Sequence, residues 1–201
     1  MWIVRLNNSA MVVILENGHG VDCAGKRSPI WGDGSQLLEW EFNRDIVSRL
    51  SEMLLRSGIP YEVLVPEMSD VPLSERCRRA NEIYDRNNGH CFLISIHANA
   101  GGGSGIEVYT SRGETNADGI AFEIFNQLDE EFGKEWPMRA DWADGDPDKE
   151  EDFYILSHTK CPAVLVELFF MDNEKDCRFI LSGEGRQRCA SAIYKAIRNV
   201  L

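Results

Sequence analysis

The 201-residue sequence has no apolar run long enough to cross a membrane, no Cys-x-x-Cys pair and no excess of basic residues. The first absence excludes a transmembrane helix. The second favours six free thiols in core positions, made in a reducing compartment, over a disulfide framework. The formal net charge of −12 disfavours electrostatic binding to nucleic acid or to an anionic membrane surface.

The N-terminus lacks the basic and apolar segments of a signal peptide, so synthesis in the cytoplasm without an export signal is expected. Residues 1–10 alternate apolar and polar side chains, which predicts an extra edge strand or extension. No repeat or linker divides the sequence. Residues 1–201 are therefore expected to form one domain.

Hydrophobic patterning predicts an α/β fold. Apolar runs and alternating segments predict strands over 12–16, 61–65, 91–100, 105–111, 153–156 and 163–169. Helical periodicity predicts helices over 37–57, 116–132 and 185–200, and another that ends near 87 and is capped by Asp70 or Ser74. This alternation implies a mostly parallel, twisted sheet of about six strands with helices on both faces.

Three of the predicted strands end in a side chain that can bind a metal or move a proton. His19 and His97 each follow an apolar run, and Glu167 ends a third. Ligands bind at the carboxyl ends of strands in open α/β sheets. A single histidine at a strand end is usually a hydrogen-bonded structural residue, but two at equivalent positions indicate a site. A catalytic zinc ion takes three histidine or carboxylate ligands and keeps one open position.

A carboxylate is expected as the third ligand, and the candidates are Asp22, Asp33, Glu39 and Glu41. Glu39 begins the first helix off its apolar stripe, after a loop long enough to fold back over the strand end. Glu41 points about 200° away from Glu39 on a helix, so the two cannot share one site. Asn43 lies on the face of Glu39 and is a candidate to orient it.

Glu167 is expected to be buried or nearly so, and an ionised carboxylate is rarely buried without a partner. Beside water activated by a metal ion, such a glutamate can act as general base and then protonate a leaving amine. A serine hydrolase is disfavoured because no nucleophile-elbow glycines flank Ser95. The Gly101–Gly103 cluster lacks P-loop spacing and is interpreted as a flexible loop.

The remaining features are interpreted as surface structure. His90 lies in a predicted turn, and His158 precedes Cys161-Pro162; neither has support as a ligand. Residues 20–36 form a long loop, and loops of that length are often functional. Residues 133–152 are strongly acidic and are interpreted as a solvated loop rather than a cation site.

Four segments of the sequence resemble the zinc-dependent N-acetylmuramoyl-L-alanine amidases of the Amidase_3 type. They are NGHG (17–20), EWEFN (39–43), SIHANA (95–100) and VLVELFFMDN (164–173). The resemblance spans about residues 11–200. It implies a single catalytic domain that cleaves the amide bond between N-acetylmuramic acid and L-alanine in peptidoglycan.

Carried over residue by residue, the resemblance implies zinc ligands at His19, Glu39 and His97 and a catalytic glutamate at Glu167. Asn43, Asn99 and Glu16 are expected to surround them as supporting or substrate-lining residues. The family usually has Asp-Pro before its first Gly-His, where this chain has Glu16-Asn17, and smaller residues after its catalytic glutamate.

The expected partner is peptidoglycan or muramyl peptides, bound by a monomer that acts at the bacterial cell wall as an autolysin or endolysin. The lack of a visible signal peptide and of a separate wall-anchoring domain favours a phage or mobile-element lysin over a host remodelling enzyme, and both interpretations stay open. Two alternatives remain open: a zinc peptidase or deacetylase that uses the same site, and a non-catalytic wall-binding module. An open metal position favours an enzyme, because binding alone has no need of one.

Overall fold

The computed structural model describes residues 10–143 and 145–201. The strand predicted within residues 1–10 therefore lies almost entirely outside the described residues. The same holds for the region in which a signal peptide would begin. The described part of the chain contains one sheet in the order β2-β1-β3-β6-β4-β5. Its strands are β1 (Val12–Asn17), β2 (Tyr61–Val63), β3 (Cys91–Asn99), β4 (Ile106–Thr110), β5 (Lys149–Glu150) and β6 (Ala163–Phe170).

Helices cover both faces of this sheet. They are α1 (Glu39–Arg56), α2 (Leu73–Arg86), α3 (Asp118–Phe132), α4 (Tyr154–Ser157), α5 (Glu174–Leu181) and α6 (Gly183–Val200). Buried apolar side chains of α1, α3, α5 and α6 form the larger core cluster against one face. Those of α2 and α4 pack on the other. The predicted α/β fold with two covered faces is confirmed.

Strand β3 lies at the centre of the sheet, parallel to β1 on one side and to β6 on the other. Strand β4 runs antiparallel to β6, so the sheet is mostly but not wholly parallel. The register places His97 opposite Glu167, and Glu107 opposite the same Glu167. Paired residues on neighbouring strands share a face. Side chains of β3, β6 and β4 therefore meet at one end of the sheet.

The structure corrects one predicted element and adds two that the sequence does not predict: the helix Glu174–Leu181, and strand β5 within the acidic segment that is interpreted above as a loop. Residues 153–156 were expected to form a strand, but Tyr154–Ser157 is a helical turn whose buried Ile155 and Leu156 pack in the smaller core cluster. Four residues are too few to distinguish period 2 from period 3.6. The helix Glu174–Leu181 was not predicted; it begins where the side chain of Asn173 accepts a hydrogen bond from the backbone N–H of Asp176.

The predicted cap of α2 is also wrong. The helix follows Pro72, and neither Asp70 nor Ser74 caps it. The carboxylate of Asp70 instead accepts a hydrogen bond from Arg76 Nη2 at 2.8 Å. Asp70 lies two residues before the N-cap position, Pro72, and its carboxylate satisfies an N–H group of the buried Arg76 guanidinium instead.

All six cysteines lie within the described residues and none forms a disulfide, as predicted; five are buried and Cys23 is partly exposed. No helix in the described ranges has the length and apolar character needed to cross a membrane.

Candidate active site

The turn after β1 holds His19 in an unusual backbone conformation. Its φ of 63° lies in the left-handed region, which costs a residue with a Cβ about 1–3 kcal/mol. Two side chains of α1 hold this turn: Asn43 Nδ2 donates to the carbonyl of Gly18 at 3.0 Å, and Arg44 Nη1 donates to that of His19 at 2.8 Å. Asn43 therefore supports the turn that carries His19 and makes no hydrogen bond with Glu39.

Residues 20–36 fold back over the end of β1, as expected for a loop of this length. The middle of this loop pairs with the residue before α1 through an antiparallel bridge between Arg27 and Leu38. The backbone N–H of Glu39 donates to the carbonyl of Lys26 at 3.0 Å. These contacts fix the first residue of α1 and place the Glu39 side chain above the strand ends, where it is 1% exposed.

His19, Glu39 and His97 converge on one point. Glu39 Oε1 lies 3.0 Å from His97 Nδ1 and 3.3 Å from His19 Nε2. The two imidazole rings stand nearly perpendicular, with centroids 5.0 Å apart. One nitrogen or oxygen from each residue lies within 4.8 Å of the other two. Three ligands of the two types that zinc prefers here, imidazole and carboxylate, are thus brought together from three distant segments.

Gly18 packs directly against the ring of His97. A Cβ at position 18 would lie 2.1 Å from His97 Cε1 and 2.5 Å from both ring nitrogens. The motif therefore requires glycine at this position because the imidazole occupies the space that a side chain would need.

Glu167 lies beside this cluster, directly across the ladder from His97. It is half-buried, and its Oε2 is shielded from solvent with no hydrogen-bond partner among the described residues. Burial raises the pKa of Glu167 to about 7; the charge on Glu39 adds to this and the charge on His97 opposes it. A carboxyl group poised near neutral pH suits proton transfer in either direction.

Beneath His97, Glu16 is the centre of a buried polar network. Its carboxylate accepts hydrogen bonds from Ser95 Oγ and Arg76 Nη1, and its Oε2 lies 3.8 Å from His97 Nε2. Arg76 is 2% exposed and also donates to Asp70. The network places a fixed negative charge under His97, and the buried Arg76 compensates that charge.

Glu107 is a site-adjacent residue that the sequence interpretation missed. It lies opposite Glu167, is 4% exposed, and accepts hydrogen bonds from Asn99, Tyr109, Arg139 and Lys149. Burial alone would raise its pKa, but the Lys149 ammonium and Arg139 guanidinium outweigh this and lower it. No sequence signal identifies these partners, because Arg139 lies outside the named helices and strands and Lys149 belongs to the two-residue strand β5.

Of the other residues considered in the sequence analysis, one lies near the site and three do not. Asn99 lies near the site, but its amide is bound to Glu107. Glu41 turns away from Glu39, as expected, and both its carboxylate oxygens bind Arg186 at 2.7 Å. His90 and His158 are exposed.

The cluster has the electrostatics of a cation site. Burial lowers the pKa of His97, yet the hydrogen bond to Glu39 and the charges on Glu167 and Glu16 outweigh this and raise it to about 9. The second oxygen of Glu39, Oε2, is buried without a hydrogen-bond partner in the described part of the chain. A buried carboxylate oxygen with no partner, placed beside two imidazoles, fits a divalent cation held by His19, Glu39 and His97.

A site at one end of an α/β sheet that combines two imidazoles and a carboxylate, with a second carboxylate beside them, is typical of a metal-dependent hydrolase. Comparison with known proteins identifies the family within this broad class of hydrolases. The sequence matches the Amidase_3 family model, described as N-acetylmuramoyl-L-alanine amidase, over residues 13–199. The chain belongs to this family.

Among its relatives, the N-acetylmuramoyl-L-alanine amidase CwlM of Bacillus licheniformis is 29% identical over 178 residues, which are 85% of this chain but 60% of CwlM. Of the solved structures, an N-acetylmuramoyl-L-alanine amidase from Clostridium difficile 630 has a TM-score of 0.77 at 21% identity and covers 95% of this chain and 96% of that one. AmiC2 of Nostoc punctiforme has a TM-score of 0.75 at 25% identity, with 94% and 96% covered. The fold is shared across nearly the whole chain.

Proposed function

We propose that the chain is a zinc-dependent N-acetylmuramoyl-L-alanine amidase, which hydrolyses the bond between the lactyl group of muramic acid and L-alanine in peptidoglycan. The observation that carries this proposal is the convergence of His19, Glu39 and His97 beside the half-buried Glu167, in a chain that belongs to an amidase family. Residues 10–201 would serve as one catalytic domain.

His19, Glu39 and His97 would hold the zinc ion. When bound, zinc would supply Lewis acidity, which lowers the pKa of water and polarises the scissile carbonyl. Glu167 takes the proton from the attacking water and passes it to the departing alanine nitrogen. Its raised pKa supports both steps, since the group can accept and release a proton near pH 7.

The function is tested by incubating the purified protein with peptidoglycan and measuring released peptides that begin with L-alanine. We expect release by the zinc-loaded protein, loss of release with a chelator, and recovery when zinc is restored. Metal analysis should give about one zinc ion per chain.

Plain peptides without muramic acid serve as the control substrate. Cleavage of these alone would indicate a zinc peptidase instead. Retention on peptidoglycan with no release of amino groups would indicate a wall-binding module. Either result would refute the proposed amidase.

A second prediction concerns the glycine under His97. Gly18→Ala should lower zinc affinity by about 10–100-fold, the range seen when a supporting contact to a metal ligand is lost, because the new methyl group displaces the imidazole. The matched control is Gly25→Ala in the following loop, where a Cβ meets nothing within 4 Å. Zinc affinity is measured by competition with a coloured chelator. Equal affinity in both variants would show that the close packing does not position His97.

A further inference from the structure

The strongest unexplained feature outside the active site is a pair of aspartates at the far end of the sheet. Asp148 is 2% exposed, and its Oδ2 accepts a hydrogen bond from Thr110 Oγ1 at 2.5 Å. Its other oxygen, Oδ1, is buried and has no hydrogen-bond partner among the described residues. Thr110 ends β4, which runs antiparallel to β6, so this pair lies at the opposite end of β4 from Glu107 and the active site.

The carboxylate of Asp148 contacts that of Asp146, whose own Oδ1 is also buried and unpartnered within the described ranges. No described lysine or arginine forms an ion pair with either. The nearby cations bind elsewhere: Lys149 pairs with Glu107 at 2.6 Å, and Arg112 with Asp152 at 3.0 Å.

Two carboxylates in contact repel one another, and burial increases the repulsion. Either a shared proton or a bound cation must relieve it. Burial, the contact with Asp146 and the charge on Asp118 raise the pKa of Asp148 to about 7. A proton can therefore bind in mildly acidic solution, whereas at higher pH the pair is left with two negative charges and two unpartnered oxygens.

The donor set is oxygen only, which selects a hard cation. A cavity of about 900 Å³, lined in part by Asp118, Asp146 and Glu150, opens beside the pair and gives access to solvent. Calcium accepts irregular sets of six to eight oxygens and completes them with water, whereas magnesium demands near-octahedral geometry. An irregular segment with few protein ligands therefore suits calcium better than magnesium.

We propose that Asp146 and Asp148, supported by Thr110, form a calcium site that fastens the acidic segment to the end of β4. The unpartnered, buried Oδ1 of Asp148 is the observation that distinguishes this pair from an ordinary solvated acidic cluster. The site is independent of the amidase reaction.

The test is thermal unfolding of the zinc-loaded protein at pH 8, where the pair is ionised, with calcium, with magnesium or with neither. Calcium at about 100 times its Kd should raise the Tm by roughly 5–10 °C, and magnesium should raise it much less. Asp148→Asn should abolish the calcium-dependent shift. Asp129→Asn is the matched control, because it makes the same charge change at an exposed position on α3 and should keep the full shift.

Calorimetric titration with calcium gives a direct measurement that does not depend on the stability of the variants. We expect binding to the wild type and to Asp129→Asn, and at least about a 10-fold weaker affinity in Asp146→Asn and Asp148→Asn. Absence of binding to the wild type would overturn the proposal, and the pair would then share a proton. Undiminished binding in both site variants would place calcium elsewhere, and an equal response to magnesium would overturn the choice of calcium.

Discussion

Glu167→Gln is expected to lower kcat by about 10²- to 10⁴-fold, the usual contribution of a general acid–base group. Glutamine has nearly the same shape but cannot take a proton from water or return one to the departing nitrogen. Zinc content should stay at the wild-type level, because Glu167 is not among the three residues whose ligand atoms converge. The measurements are the rate of peptide release from peptidoglycan and the zinc content of the same preparation.

The fold of this variant should be intact. Glu167 has a raised pKa, so its ionised form is disfavoured in the folded state and destabilises that state as the pH rises above the unfolded value. Removing the charge should therefore leave the metal-free protein at least as stable as the wild type at pH 8. Glu52→Gln, on the exposed face of α1, is the matched control and should keep full activity. Wild-type turnover by Glu167→Gln would refute the proton-transfer role.

The parts of this structure that the sequence predicts are those with a long pattern of apolar residues. Strands β1, β3 and β6 are buried on both faces, so each appears as an apolar run, and the polar side chain that interrupts or follows the run lies near the carboxyl end of the strand. This is why His19, His97 and Glu167 could be grouped before their positions were known. Helix α1 was predictable for a similar reason: its apolar stripe is long enough to show the 3.6-residue period.

Short elements and the partners of buried charges could not be predicted in this way. Helix α4 has four residues, and packing against α2 rather than local pattern decides its conformation. Glu16 is hidden within the apolar run of β1, and its partner Arg76 lies 60 residues away on α2. Such partners are set by tertiary packing, so spacing along the chain gives no sign of them.

Glu39 lies between these two cases. Its position at the start of α1, off the apolar stripe, favoured it among four candidate carboxylates, and the resemblance to a known family then selected it. The structure adds a physical reason: the Lys26 carbonyl and the bridge at Leu38 fix the start of α1 so that Glu39 projects over the strand ends. The length of the 20–36 segment allows this fold-back, but its residue types do not specify the contacts that fix it.

Glu39 and Glu41 offer a sharp test of this assignment, because both are glutamates of the first turn of α1 and only one faces the histidines. Glu39→Ala should weaken zinc binding by more than about 100-fold, beyond the 10–100-fold typical of a lost supporting residue. Glu41→Ala should keep the wild-type zinc affinity. The measurement is zinc retained after dialysis against a competing chelator, with circular dichroism to show that both variants are folded.

The expected stability of the two variants separates a lost ligand from a damaged helix. Glu41 binds Arg186, which also contacts Asp45 at 3.0 Å, so Glu41→Ala should cause a modest loss of stability without loss of metal. The carboxylate of Glu39 is buried. Burial alone would raise its pKa, but the hydrogen bonds with His19 and His97 outweigh this effect and lower the pKa. Removing this carboxylate leaves two histidines with no anionic ligand between them, and the remaining donors are too few to complete a three-ligand site. If both variants lost zinc equally, α1 would be acting as a scaffold only; if neither did, the third ligand would have to be another carboxylate.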